Sequence, residues 1–235
     1  MKKSNWVGFL PFYLLVMILF IGIAGGGSEL ATVIGQSGGT ERHTIIVDAG
    51  HGGEDGGATS CSGVLESQIN LEIALRLDDL MHLLGYDTVM VRTTDTSVYT
   101  EGTTIAAKKV SDLKERVRIV NSTEKAVLVS IHQNIFSDSR YSGAQVFYGG
   151  ADDSRQLAQS LQSAFAQSIN SGSSRKCKKA DNVYLMQNIS CTGILVECGF
   201  LSNPQEEALL RSPEYQQKIC CVICSALTVF LEKNG

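Results

Sequence analysis

The chain has 235 residues, 43% hydrophobic and 19% charged, enough for one α/β domain with a substantial core plus a short appendage. A formal net charge of −4 argues against a nucleic-acid partner, which would call for a basic face. The one basic run, Arg175-Lys176-Cys177-Lys178-Lys179, reads as a solvated loop, with contact to an anionic polymer as the other reading.

Lys2 and Lys3 are basic, and no charge follows until Glu29. Trp6 to Ala24 is almost wholly apolar and about long enough to cross a bilayer, with the two lysines on the cytoplasmic side. Residues 1–24 are therefore expected to be a signal peptide or a membrane anchor. Gly22-Ile23-Ala24 matches a cleavage site only loosely, which favours the retained anchor and N-terminal membrane association. Residues 25–43, rich in Gly, Ser and Thr, read as a flexible linker, and 44–235 as the folded domain, exported from the cytoplasm.

Thr44 to Ala58 reads TIIVDAGHGGEDGGA: a buried strand ending at Asp48, then a glycine-rich turn that exposes His51. Cys61 to Leu65 is a loop. Ile69, Ile73, Leu77, Leu80, Met81 and Leu84 recur at helical spacing until Gly85, and Glu66 stands at the start of that helix. Asp87 to Arg92 is a second strand, so these segments form a strand–helix–strand unit. Thr93 to Lys109 reads as a long polar loop and Asp112 to Val120 as an amphipathic helix. Strands are expected at Ala126–Ile131, Ala144–Tyr148, Asn182–Met186 and Gly193–Cys198, and helices at Ser154–Ile169 and Pro213–Leu231, with a turn at Phe200–Pro204. The alternation predicts one α/β domain with a twisted, mainly parallel sheet and helices on both faces.

Three of these strands end in residues able to bind a metal or move a proton: His51, His132 and Glu197, with Glu66 supplied by a helix start. Two imidazoles and a carboxylate leave one tetrahedral position free on zinc, as catalytic zinc sites require. Glu197 closes the apolar run Ile194-Leu195-Val196, where burial raises a carboxylate's pKa and suits it to acid–base work. Each residue also has a plain structural role open to it. These are a loop imidazole for His51, a helix-dipole acid for Glu66, a hydrogen-bonded core imidazole for His132 and an ion pair for Glu197.

Four motifs in order, VDAGHGGEDGGA, LESQINLEIA, VSIHQN and LVECGFLSNPQEE, resemble the zinc-dependent N-acetylmuramoyl-L-alanine amidases of the type-3 amidase family. The resemblance runs from about Ile45 to Phe230. It implies one Zn2+ held by His51, Glu66 and His132, with Glu197 as the catalytic carboxylate. It also implies a peptidoglycan substrate, glycan strands with stem peptides, cut between the lactyl group of muramic acid and L-alanine. KKVSDLKERVRIVNS is similar to the spore-cortex, germination-specific branch, which takes part in forming muramic lactam. Gln133 and Cys198 depart from the family's usual small and apolar residues at those positions.

Asp48 and Asn134 are candidates to orient the imidazoles from behind, and Arg92 and Arg116 to pair with carboxylates of the protein or of the stem peptide. Seven cysteines leave at least one unpaired in a monomer, and Cys221-x-x-Cys224 sits in an apolar helical run where thiols serve as small hydrophobes. A zinc exopeptidase and a non-catalytic wall-binding protein of the same fold are the rival functions. The first needs a subsite for a free chain terminus. The second has no need of an open metal site.

Overall fold

The computed structural model describes residues 43–234. The expected leader over 1–24 and the linker over 25–43, His43 apart, lie outside the described residues. Among the described residues no helix is long and apolar enough to cross a membrane.

Six strands form one sheet: β1 (Thr44–Ala49), β2 (Asp87–Met90), β3 (Ala126–Asn134), β4 (Gln145–Gly150), β5 (Lys178–Lys179) and β6 (Thr192–Phe200), in the order β2-β1-β3-β6-β4-β5. β1, β2, β3 and β6 run parallel, while β4 runs antiparallel to β6 and carries β5 in parallel at the edge. The central strands are buried on both faces, which is why β1, β3 and β6 read as continuous apolar runs.

Helices α1 (Glu66–Leu83), α3 (Ser154–Ser168) and α6 (Pro213–Asn234) pack on one face, through Ile69, Ile73, Leu77, Leu157, Leu161, Phe165, Ile219, Ile223 and Leu227. On the other face α2 (Ile105–Ser122) and the short α4 (Tyr184–Asn188) cover Ile46, Leu128 and Leu195 with Val120, Leu185 and Met186. A seven-residue helix, α5 (Pro204–Leu210), follows β6; the Asn203 side chain caps it by accepting from the Gln205 and Glu206 amides.

Three local expectations are corrected. The segment Asn182–Met186 is not a strand: Leu185 and Met186 are buried side by side on one helical turn, where a strand would turn them to opposite faces. The loop expected over Thr93–Lys109 gives way to helix at Ile105, seven residues before Asp112, because Thr104 accepts from the Ala107 amide as an N-cap. Two of the basic-run lysines, Lys178 and Lys179, form a short edge strand, where charge discourages further pairing.

β1 lies between β2 and β3, so the chain leaves β1 first to one side and later to the other. Such a reversal opens a crevice beyond the carboxyl ends of the strands. His51 follows β1 and His132 lies near the end of β3, one on each side of that crevice.

Candidate metal centre

β1 delivers its chain end into the crevice through Gly50. An added Cβ at Gly50 would fall within the His132 ring, so only glycine lets the imidazole lie against the backbone there. His51 itself sits at φ 61°, in the left-handed region that costs a non-glycine residue energy. Two buried arginines hold this loop by its carbonyls. Arg92 donates from Nε to Ala49 O (2.8 Å) and from Nη2 to Gly50 O (3.0 Å) and Ser67 O (2.8 Å). Arg116 donates to Ala49 O (3.0 Å) and His51 O (2.7 Å).

The sequence predicted carboxylate partners for both arginines. Arg116 meets that expectation through Asp48 and Asp112, whereas the hydrogen bonds of Arg92 go to backbone carbonyls, those of Ala49 and Gly50 at the turn, of Ser67 in α1 and of Thr94. Asp48 is corrected too. Its carboxylate is taken by Arg116 and by the Ser130 hydroxyl (2.6 Å), so it supports the arginine and not an imidazole. Burial would raise its pKa, but Arg116 and Ser130 hold it below the usual carboxylate value.

His51, Glu66 and His132 converge, with one donor atom from each inside a mutual separation of 4.8 Å. Glu66, the first residue of α1, is 4% exposed and lies between the two rings. Its Oε2 is 3.3 Å from His51 Nε2 and its Oε1 is 3.0 Å from His132 Nδ1. The carboxylate also accepts from the amides of Ala58 (2.9 Å) and Gln133 (3.1 Å) and from Asn70 Nδ2 (3.2 Å). The rings stand nearly perpendicular, 76° apart, with centroids at 5.0 Å. Gly57 closes the floor: a Cβ there would lie 2.6 Å from Glu66 Oε2 and 2.7 Å from His51 Cδ2.

Burial opposes charge on His51, yet hydrogen bonds and charges from Glu66 and then Asp55 raise its pKa to about 9. Burial likewise works against an ionised Glu66, but the two imidazoles outweigh it and hold the carboxyl far below its ordinary value. The apo cluster is therefore an acid–imidazole network that a cation can enter by displacing a proton.

Glu197 is brought to the same place. On β6, it is the register partner of His132 on β3 and of Gln145 on β4. Its Oε2 is buried and has no hydrogen-bond partner. Burial pushes its pKa up to about 7, with the Glu66 charge adding and the two imidazoles opposing. An unpaired buried carboxyl oxygen is costly to a fold, and one with a raised pKa beside two imidazoles marks a candidate for proton transfer.

Sequence reasoning missed Asp55, whose Oδ2 is 3.0 Å from His51 Nδ1. Mutual backbone hydrogen bonds between Gly52 and Asp55 fold the loop back and bring this carboxylate behind the ring. The signal was present in the motif: an acid four residues after a histidine, across glycines. Gln133 gives its amide nitrogen to Asn70 Oδ1 (3.2 Å), and its side chain also bears on the buried Cys198 thiol. The two departures from the usual pattern are thus neighbours. All seven cysteines are free. Cys220 and Cys224 are buried in α6 as expected, but Cys221 between them is exposed.

An open α/β sheet whose carboxyl edge brings together two imidazoles and a buried carboxylate, with a second carboxyl beside them, is an arrangement able to hold a metal ion next to a proton-moving group. A family model described as N-acetylmuramoyl-L-alanine amidase matches residues 45–229, and the chain belongs to that family of amide hydrolases. It is 34% identical over 237 residues to the germination-specific N-acetylmuramoyl-L-alanine amidase of Bacillus subtilis (strain 168), covering 100% of this chain and 98% of that one. The fold is similar to the CwlD amidase from Clostridioides difficile, solved in complex with the GerS lipoprotein. That match has a TM-score of 0.78 and 36% identity, over 81% of this chain and 99% of the other. An N-acetylmuramoyl-L-alanine amidase from Clostridium difficile 630 gives a TM-score of 0.73 at 28% identity, over 83% and 100% of the two chains.

Proposed function

We propose that the chain is a zinc-dependent amidase of the spore cortex. It cuts the amide between the lactyl group of N-acetylmuramic acid and the L-alanine of the stem peptide, on the route to muramic lactam. The observation that carries the chemistry is Glu197, whose buried Oε2 has no hydrogen-bond partner and which stands in register beside His132. The likeness to a germination-specific relative over the full chain supports the cortex. By the same likeness, a lipoprotein partner comparable to that of the CwlD amidase is proposed for this chain, as is work outside the cytoplasm. Residues 1–24 are proposed as the signal or anchor, 25–43 as the linker and 44–235 as the catalytic domain.

The donor set fits zinc. Zinc–ligand bonds of about 2.0–2.1 Å place tetrahedral neighbours roughly 3.4 Å apart. Each Glu66 oxygen lies near that distance from one ring, Oε2 at 3.3 Å from His51 and Oε1 at 3.0 Å from His132, and one donor atom from each of the three residues lies within 4.8 Å of the others. His51, Glu66 and His132 would hold the ion and leave its fourth position open. When bound, zinc would supply Lewis-acid polarisation of the lactyl carbonyl and make water a stronger acid.

The remaining steps fall to the chain. Glu197 takes a proton from the attacking water as its oxygen bonds to the carbonyl carbon. As the carbon–nitrogen bond breaks, the same carboxyl returns that proton to the alanine nitrogen. The products are a lactyl carboxylate and a stem peptide with a free amine. The purified chain should release such peptides from cortex peptidoglycan, as read by mass spectrometry of the fragments. Cleavage confined to isolated peptides would replace this reading with that of an exopeptidase. Zinc content in His51→Ala, Glu66→Ala and His132→Ala tests the ligand set: an unchanged affinity in any one removes that residue from it.

A further inference from the structure

The glycine loop that carries His51 is tied to α2 by two consecutive ion pairs. Lys108 Nζ donates to Glu54 at 2.7 and 2.9 Å, and Lys109 Nζ lies 2.7 Å from Asp55 Oδ1. Only the second reaches the metal centre. Asp55 uses its two oxygens differently: Oδ1 takes Lys109 and the Gly57 amide (3.3 Å), while Oδ2 faces His51 Nδ1. Lys109, Asp55 and His51 therefore form a chain of three, and its last member points Nε2 at Glu66.

The loop has little else to fix that ring. The left-handed φ of His51 is not one that its side chain favours. The Gly57 contact bounds the ring on one side only. A carboxylate bonded to the far nitrogen is what sets the tautomer and direction of a metal-binding imidazole. That carboxylate must itself be held, and Lys109 does so from a separate element.

We infer that Lys109 is a positioning residue: through Asp55 it orients His51, so that the first turns of α2 set the metal affinity of a site to which α2 gives no ligand. The inference rests on the metal-centre reading above, and the two fail separately in the test.

The full chain, stripped of metal, is titrated with Zn2+ against a chromophoric chelator of known affinity. Asp55→Asn should weaken binding roughly 10- to 100-fold, the usual cost of removing a ligand's supporting carboxylate. Lys109→Met should weaken it roughly three- to fivefold, in keeping with a half-exposed ion pair. The double variant should bind as Asp55→Asn does, because Lys109 acts only through Asp55. Lys109→Arg should restore most of the affinity.

Lys108→Met is the control. It breaks the neighbouring tie of similar length but touches no group on His51, so its zinc affinity should match the wild type. Equal losses in Lys108→Met and Lys109→Met would make the effect general loop loosening and overturn the inference. So would full affinity in Lys109→Met, or losses that multiply in the double variant. A wild-type chain that binds no zinc would overturn the metal centre itself, and this inference with it.

Discussion

His132 and Glu197 are register partners on β3 and β6, so one imidazole and one unpaired carboxyl face the crevice from adjacent strands. In the proposed mechanism the two tasks, holding a metal and moving a proton, would thus fall to separate residues fixed by the same ladder.

Glu197→Gln tests that separation. Gln keeps the shape but accepts no proton as a base. The variant should bind zinc as the wild type does, and hydrolysis of the muramoyl–alanine amide should fall by roughly two to four orders of magnitude. Zinc titration and fragment release on the same preparation decide the matter. Loss of zinc would make Glu197 a ligand, and full activity would require another base.

The metal-free protein should lose stability as pH rises. Glu197 has its pKa raised by burial from 4.5 to about 7, so the folded state holds a proton that the unfolded chain has given up. That stabilisation is complete below 4.5 and gone above about 7. His51, raised from 6.5 to about 9 by Glu66 and Asp55 against its burial, repeats the pattern at higher pH. Urea midpoints with a chelator present should fall between about pH 5 and pH 9. Glu197→Gln should remove the lower part of that fall, on the order of 3 kcal/mol. Parallel curves for the two proteins across pH 5 to 8 would rule out a raised Glu197.

Gly50→Ala puts a methyl group where the His132 ring lies. Ring or strand must shift, at a cost of about 1–3 kcal/mol for an overfilled site. Zinc affinity should drop with it, because the displaced group is one of the three proposed ligands. Gly63→Ala is a useful comparison: the added carbon meets no atom there, although φ +90° strains the backbone. A calorimetric scan and a zinc titration of both variants give the contrast, and normal zinc binding by Gly50→Ala would contradict the close approach.

Arg116→Ala should be the most damaging of the loop substitutions. It leaves Asp48 buried without its counter-charge, held only by the Ser130 hydroxyl, frees the His51 carbonyl and leaves that of Ala49 to Arg92 alone. Removing one partner of a buried pair costs about 3–5 kcal/mol. Asp48→Asn should cost less, since a neutral amide is easier to leave buried. Denaturant unfolding ranks the two, and the reverse order would show that the carbonyl bonds count for little.

Much of this was legible in the chain. The runs Ile45-Ile46-Val47, Val127-Leu128-Val129 and Ile194-Leu195-Val196 announce strands buried on both faces, and their polar ends announce the site. The start of α2 was hidden because Ile105 and Val110 are 62% and 53% exposed, so no apolar stripe marks its first turns. The antiparallel direction of β4 leaves no local trace, since direction is decided by the connections around it. Asp55 and Arg92 were obscured for one shared reason. Their partners, an imidazole nitrogen and the carbonyls of a sharp turn, exist as targets only once the glycine loop has folded.

Glu66 and His132 meet across 66 residues of chain. The donor set is thus absent from the unfolded polypeptide and comes into being only with the native sheet. A cation that recognises the folded form alone acts as a thermodynamic counterweight to unfolding, worth about 2.7 kcal/mol when free ion stands at a hundred times its dissociation constant. The same molecule would therefore be sturdier in a zinc-replete envelope than in a zinc-starved one. Chelation would first appear as shortened survival in the presence of a protease, with no change in any covalent bond.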